Sequence, residues 1–284
     1  MIVVKIKGGL GNQLFQYAFG RSLSIHLSRK IYLDVSDYKF QNHRVARTYD
    51  LDSFQIKARR IETLSEINKP LFLLNFRRKK QDFNHFLERG FAYDSNVFQT
   101  KTSTIFDGYW QSFKYFETIK SILQSEIVLK NTQRLHFEHR FNPFKGKSKV
   151  AVHIRRGDYI TDSTTLEIHG VCDSSYYERA ISDFRSRLVN VHFFLFSDDI
   201  SSVKKELGES KDFTYVDFLD NHLEEFEFMK QCDHFIISNS TFSWWAAWLS
   251  DHSQKHIIAP VRWFNDPILE SQTNDLIPID WIRF

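Results

Sequence analysis

The sequence predicts an α/β protein of two parallel-stranded halves, and three observations carry that reading. Short apolar runs of the kind that form buried strands alternate with longer runs of helical periodicity along all 284 residues. Several strand-like runs end in glycine or charged residues and lead at once into a helix-like run, as parallel strands with crossover helices do. A polar stretch without periodicity, residues 130–149, holds Asn142-Pro143 and Gly146 and separates the halves.

In the first half, strands are expected at Ile2–Lys7, Ile31–Val35 and Thr104–Tyr109. A helix over Gln13–Leu27 joins the first two, with Leu14, Tyr17, Ala18, Leu23 and Leu27 as its apolar positions. In the second half, strands are expected at Val150–Arg155, Val191–Phe196, Thr214–Val216, His234–Ile237 and His256–Ala259. Helices fit Ser175–Leu188, Ile200–Leu207, Leu223–Cys232 and Phe242–Leu249. The domain boundary is placed at 146/147, giving units 1–146 and 147–284; no internal repeat or low-complexity tract interrupts them.

Composition narrows the function classes. Hydrophobic residues at 42% and charged residues at 26% describe an ordinary soluble globular chain. With 28 phenylalanines and 5 prolines, the core should be rich in aromatic rings and the turns rarely rigid. A net charge of +3 gives no whole-molecule attraction to nucleic acid. The basic runs Lys57-Ala58-Arg59-Arg60 and Arg77-Arg78-Lys79-Lys80 read as solvated faces, with a patch for anionic lipid at the inner membrane as the sharper alternative. Cys172 and Cys232 lack the spacing of a zinc site or disulfide framework, which fits a reducing compartment. The densest apolar stretch, Pro70 to Phe76, is too short to cross a bilayer, and Met1–Lys7 reads as the first strand rather than a signal peptide. A cytoplasmic location follows as the expectation.

Four constellations carry chemistry. Gly8-Gly9-Leu10-Gly11-Asn12-Gln13 follows the first strand and opens a helix. Gly9 and Gly11 match a dinucleotide fingerprint whose third glycine is replaced by Leu14. Glycines there let a ligand approach the backbone, and the Asn12 and Gln13 amides suit sugar hydroxyls. His153-Ile154-Arg155-Arg156-Gly157-Asp158 ends a buried strand, where open α/β sheets bind ligands. Arginine's fixed fork matches phosphate, and alternation sends His153 and Arg155 to one face and Arg156 to the other. The two arginines therefore take different parts, one on phosphate and one structural.

Phe196-Ser197-Asp198-Asp199 also ends a strand. A carboxylate there can accept from the N1 and N2 donors of guanine; equally, Asp198 or Asp199 can cap the next helix. Ser238 to Leu249 opens a helix with hydroxyls and free amides that can face phosphate, while Trp245, Trp248 and Leu249 fit the core. Asn239-Ser240-Thr241 reads as a fortuitous glycosylation sequon. Asp50-Leu51-Asp52 matches a metal-holding Asp-x-Asp pattern but nothing converges on it, and the 12 histidines show no metal spacing, so no metal is expected.

With Gly108-Tyr109-Trp110-Gln111 added, these motifs resemble the α1,2-fucosyltransferases of glycosyltransferase family eleven, and the likeness spans most of the chain. The resemblance implies a GT-B fold of two Rossmann-like domains facing a central cleft, with the N-terminal one mainly on the acceptor side and the C-terminal one holding the donor. It implies GDP-β-L-fucose as donor, no metal requirement, and inversion at the anomeric carbon. The acceptor would be the 2-hydroxyl of a terminal galactose in a glycan. Carried over, Arg155 would bind the β-phosphate, with Arg156 beside it. His153, with Asp198 or Asp199, would flank guanine or ribose. Ser240, Thr241 and Phe242 would touch diphosphate and fucose, and Gly9, Gly11, Asn12 and Gln13 would reach the donor from the first domain. Gln13, Trp110, Glu167 and His169 would meet the acceptor; Asp158 is the nearest carboxylate for a general base, and Arg155 and Asn12 join it as catalytic residues. The lack of an anchor before the first motif suggests a bacterial enzyme. Transfer from another GDP-sugar, and a non-catalytic nucleotide- or glycan-binding protein, are the alternatives.

Overall fold

The computed structural model describes residues 1–39, 47–67, 82–130, 139–157 and 163–284, with the side chains of 163–165 left aside. The chain divides into two compact units, Met1–Lys130 and Asn131–Phe284.

The first unit is a five-stranded sheet in the order β3-β2-β1-β5-β4. Its strands are β1 (Ile2–Lys5), β2 (Ile31–Asp34), β3 (Arg59–Ile61), β4 (Asn84–Leu87) and β5 (Thr104–Asp107), all paired in parallel. Val3 and Val4 of β1 are fully buried because neighbouring strands flank both edges and helix α1 (Leu10–His26) covers one face. That helix lies close to the sheet at Gly20: a Cβ there would stand 2.7 Å from both Val4 Cγ2 and Ile31 Cδ1. Phe15 and Phe19 of α1 meet an aromatic core, Phe19 stacking on Trp110 at 4.0 Å and 3°. Helix α2 (Lys120–Glu126) closes the unit; buried Glu126 accepts from Tyr17 and, through both oxygens, from Arg21.

The second unit is a six-stranded parallel sheet in the order β11-β10-β9-β6-β7-β8. These strands are β6 (Ser148–Ile154), β7 (Val191–Ser197), β8 (Phe213–Tyr215), β9 (His234–Ile236), β10 (Ile257–Ala259) and β11 (Ile282–Arg283). Helices α3 (Ser163–His169), α4 (Ser174–Arg187), α5 (Ile200–Leu207), α6 (His222–Lys230), α7 (Thr241–Leu249) and α8 (Pro267–Glu270) are interleaved with the strands. Alternation along central β6 sends Val150, Val152 and Ile154 against Tyr176, Tyr177, Ile181 and Phe184 of α4. His153 faces the other side, toward α7. Trp244, Trp245, Trp248 and Leu249 of α7 are buried as the sequence requires.

The sequence missed β3, β4 and β11. The first two are edge strands whose exposed residues show no apolar alternation, and β11 is two residues long. The Lys57–Arg60 run leads into β3, where Arg60 pairs with Asp52 and Glu62; Arg77–Lys80 and Pro70–Phe76 lie outside the described residues. The units divide at Lys130, before the expected 146/147, because the junction packs on the second sheet. Phe141 stacks on Phe228 at 4.3 Å, and Phe144 lies 4.1 Å from the His192 ring. Among the described residues, no helix is long and apolar enough to cross a membrane. Cys172 and Cys232 are free thiols.

Candidate active site

The carboxyl end of the second sheet gathers the arginine motif, the Asp198 loop and the start of α7. β6 delivers His153 into a buried position, where its Nδ1 lies 2.8 Å from Ser238 Oγ and its ring tilts over Phe242. Burial, reinforced by the Arg155 charge, lowers its proton affinity to a pKa of about 3, so the imidazole is neutral at working pH.

The strand register pairs Ile154 with Ser197, which puts Asp198 level with the arginines. Asp198 Oδ1 accepts the Arg156 backbone amide at 2.8 Å, and Oδ2 meets Arg155 Nη1 at 2.9 Å. The same carboxylate lies over Gly157: a Cβ there would stand 2.9 Å from Asp198 Cγ and closer still to Oδ2. Asp198 therefore braces the arginine turn. Asp199 caps α5 instead, accepting the Ser202 amide at 3.0 Å and the Ser201 and Ser202 hydroxyls, bonds that hold its carboxyl well below the usual range. Helix capping is the role its geometry gives Asp199, rather than contact with guanine.

The two arginines diverge. Arg155 keeps about a fifth of its side chain exposed. Arg156 is buried, forked onto Glu206 at 2.6 and 3.2 Å, with Nη1 donating to the Arg155 and Cys172 carbonyls. Its expected contact with the donor gives way to this strut, because its donors are taken up by Glu206 and the two carbonyls. Ser240, Thr241 and Phe242 are half-buried at the α7 N-terminus; Ser240 makes no side-chain cap, and a helix's first amides lack partners within it. Asn239 is buried with Nδ2 donating to the His169 and Trp263 carbonyls at 2.8 and 3.2 Å, so the sequon is an internal clamp.

Glu225 of α6 is the group that sequence reasoning missed. Burial raises its carboxyl to about 7; the His222 charge opposes this and the Asp198 charge adds to it. Among the described residues, no donor is bonded to its side chain. It sits on the helix predicted at Leu223–Cys232, but an acid on a helix has no local signature of a site.

Glu167 and His169 lie on α3 of the second unit. Glu167 is exposed; His169 lies 5.2 Å from the Phe264 ring and lines a cavity of about 210 Å³ with Asn239, Arg262 and Asn265. Asp158 lies outside the described residues.

In the first unit, Gly9 is the N-cap of α1, and Gly11 lies buried in its first turn. Gln13 is fully buried, donating to the Gly8 and Thr48 carbonyls at 3.0 and 2.7 Å and accepting the Asp50 amide at 2.9 Å. With both functional ends committed, it does not reach a sugar as expected. Trp110 is likewise core, fully buried against Phe19, rather than an acceptor platform. Asn12 remains partly exposed, its Oδ1 accepting from Gln111 Nε2 at 2.9 Å. Asp50 accepts from Thr48 and Asp52 pairs with Arg60, both structural uses of the Asp-x-Asp pair.

A family model described as Glycosyl transferase family 11 matches residues 1–284. The chain is 33% identical to an alpha-1,2-colitosyltransferase of Escherichia coli, covering all of this chain and 98% of that protein. It is 27% identical to the O-antigen biosynthesis glycosyltransferase WbnK of Escherichia coli, over 91% of this chain and 93% of the relative. It is also 27% identical to a galactoside 2-alpha-L-fucosyltransferase of Caenorhabditis elegans, over 99% and 78% respectively. Among solved structures, the fucosyltransferase NodZ from Bradyrhizobium aligns with a TM-score of 0.53 at 13% identity, over 86% of this chain and 92% of NodZ. POFUT1 in complex with GDP-fucose aligns at 0.50 and 16% identity, over 90% and 97%. At such identities the likeness is one of fold, and it agrees with the expected GT-B class of two parallel α/β units.

Proposed function

The chain belongs to glycosyl transferase family 11 and is a glycosyltransferase, and from that premise we propose that it moves L-fucose from GDP-β-L-fucose to the 2-hydroxyl of a terminal galactose, with inversion and without a metal. The observation that carries this reading is the braced arginine turn: Arg155 projects partly exposed from a strand end, held by Asp198 beside the uncapped start of α7. As the fucose–phosphate bond breaks, charge collects on the β-phosphate. A preorganised guanidinium and helix-start amides stabilise that charge more than they stabilise bound donor. The arginine and the amides supply the positive field that a divalent ion supplies in other transferases.

Neutral His153 exchanges a hydrogen bond and no proton. Since Asp198 and Asp199 are spent on the turn and on the α5 cap, Glu225 is the carboxylate we assign to the guanine edge, where ionised oxygens accept from N1 and N2. Asn12 offers its amide to a sugar hydroxyl, and Asp158 is the general base the sequence nominates. The acceptor side is assigned to the first unit and the donor side to the second. The relatives named for O-antigen biosynthesis and galactoside transfer support a surface glycan as acceptor, assembled on the cytoplasmic side of a bacterial inner membrane.

A second reading has its own support. The 33% identical relative is a colitosyltransferase, and colitose is fucose without its 3-hydroxyl. The test is GDP release from GDP-fucose and its 3-deoxy analogue, with lactose as acceptor and excess EDTA present. Lactose-dependent release from GDP-fucose that survives EDTA supports the proposal. Strong preference for the deoxy donor replaces it with the second reading, and GDP binding without release favours a binding protein.

A further inference from the structure

A chain of hydrogen bonds in the first unit leads from a buried acid to Asn12. Glu88 follows β4, and its amide donates to the Asp107 carbonyl at 2.9 Å, extending the β4–β5 ladder by one residue. That register lays its side chain across the turn after β5. Oε2 accepts the Tyr109 amide at 2.5 Å, and Oε1 accepts the Trp110 amide at 2.9 Å. Gly108 makes the approach possible, since a Cβ there would stand 2.6 Å from Oε2 and closer still to Glu88 Cβ.

The turn is held in a costly shape. Trp110 has φ +57°, a left-handed conformation that costs a bulky residue roughly 1–2 kcal/mol. Its stacked ring and the Glu88 bond retain it. The next residue, Gln111, is thereby turned back onto α1, where its Nε2 donates to Asn12 Oδ1 at 2.9 Å. Gln111 is 5% exposed, and its Oε1 has no partner among the described residues, so the bond to Asn12 is where its polarity is used. That bond fixes which end of the Asn12 amide is oxygen and leaves Nδ2 as its donor. Gly8, at φ +82°, leaves the space: a Cβ there would stand 2.7 Å from Nδ2. A turn that merely filled the core would need neither a buried amide nor a carboxyl that burial raises to about 7.

We propose that Glu88 is a positioning residue: by accepting the Tyr109 and Trp110 amides it sets the turn that places Gln111, and through Gln111 it aims the Asn12 amide at a sugar hydroxyl. The inference rests on the proposed use of Asn12 in transfer.

The test is a double-mutant cycle in the full-length protein, read as lactose-dependent GDP release. Asn12→Ala, Gln111→Ala and Glu88→Ala each lower kcat on the order of 10- to 100-fold. The Glu88→Ala/Asn12→Ala double variant falls no further than Asn12→Ala alone, because the acid acts through the amide. Glu88→Gln, which keeps one accepting oxygen, recovers part of the loss. Losses that multiply in the double variant, or a Glu88→Ala enzyme with full kcat, overturn the proposal. Hydrogen exchange separates this from failure of the transferase reading. If the wild-type protein releases no GDP, Glu88→Ala must still speed exchange at the Tyr109 and Trp110 amides and alter the Asn12 side-chain amide resonances. Unchanged exchange or unchanged resonances overturn it.

Discussion

Replacing Gly157 by alanine tests whether Asp198 aims Arg155. The added carbon would stand 2.9 Å from Asp198 Cγ, whereas ordinary contact begins near 3.4 Å, so the carboxylate must retreat by at least half an ångström. It is held by the Arg156 amide at 2.8 Å and by Arg155 at 2.9 Å, and cannot retreat without losing one of them. A lost bond to a charged acceptor costs about 1.5–3 kcal/mol, and overpacking alone costs about 1–3 kcal/mol. The partly exposed Arg155 pair contributes little of this, so about 2 kcal/mol is the working figure. In a unit of this size that lowers Tm by about 5 °C. A misaimed guanidinium costs far more in turnover, on the order of 10²-fold in kcat. Gly146→Ala is the matched control. Gly146 has φ +81° with nothing within 4 Å of an added Cβ, so the variant pays in stability and keeps its turnover. The assay is GDP release with lactose, beside thermal unfolding of both variants. Wild-type kcat in Gly157→Ala, or an equal loss in Gly146→Ala, would refute the brace.

Arg155→Ala should lose on the order of 10²–10³ in kcat while unfolding at the wild-type temperature, since its side chain is partly exposed; near-normal turnover removes it from the phosphate. Arg156→Ala should do the reverse in first effect, destabilising the fold by about 3 kcal/mol in denaturant titration by stranding Glu206 and two carbonyls. Glu225 binds its proton more tightly when folded, up to about 7, so its ionised form is penalised and wild-type stability gains as pH falls from 7 toward 4.5. Glu225→Gln should therefore unfold at a higher temperature than wild type at pH 8, lose that margin near pH 4.5, and raise the donor KM at pH 8; an unchanged KM withdraws it from guanine. Asp158→Asn should lower kcat most where a carboxylate base is ionised, at neutral and higher pH, with the difference shrinking as acid protonates the wild-type base; full activity across pH leaves it no role as base.

Legibility followed burial and locality. The strands read most clearly from sequence, β1, β2, β6, β7 and β9, are interior strands or lie beside the sheet centre, where two covered faces demand unbroken apolar runs. Helix α5 was read to the residue because its cap, Asp199, and its end, Gly208, are local signals. Edge strands β3 and β4 escaped because an exposed strand needs no apolar alternation. The same rule holds at the site's edge: alternation along β6 sends His153 toward Phe242 and Ile154 into the core against α4, since period two is a property of the strand itself.

Sequence by itself determined the two parallel-sheet halves, the strand ends that carry the motifs, and the family, because each rests on residues near one another in the chain. Only the tertiary structure decided which polar residue has capacity to spare. Gln13, Arg156 and Asp199 carry the same chemical groups as residues that bind ligand, yet their hydrogen bonds are consumed by Asp50, Glu206 and Ser202. Glu225 and Glu88 carry no motif, yet burial gives both a proton affinity near neutrality. A side chain's free valence is settled by partners tens of residues away, and no local pattern records that.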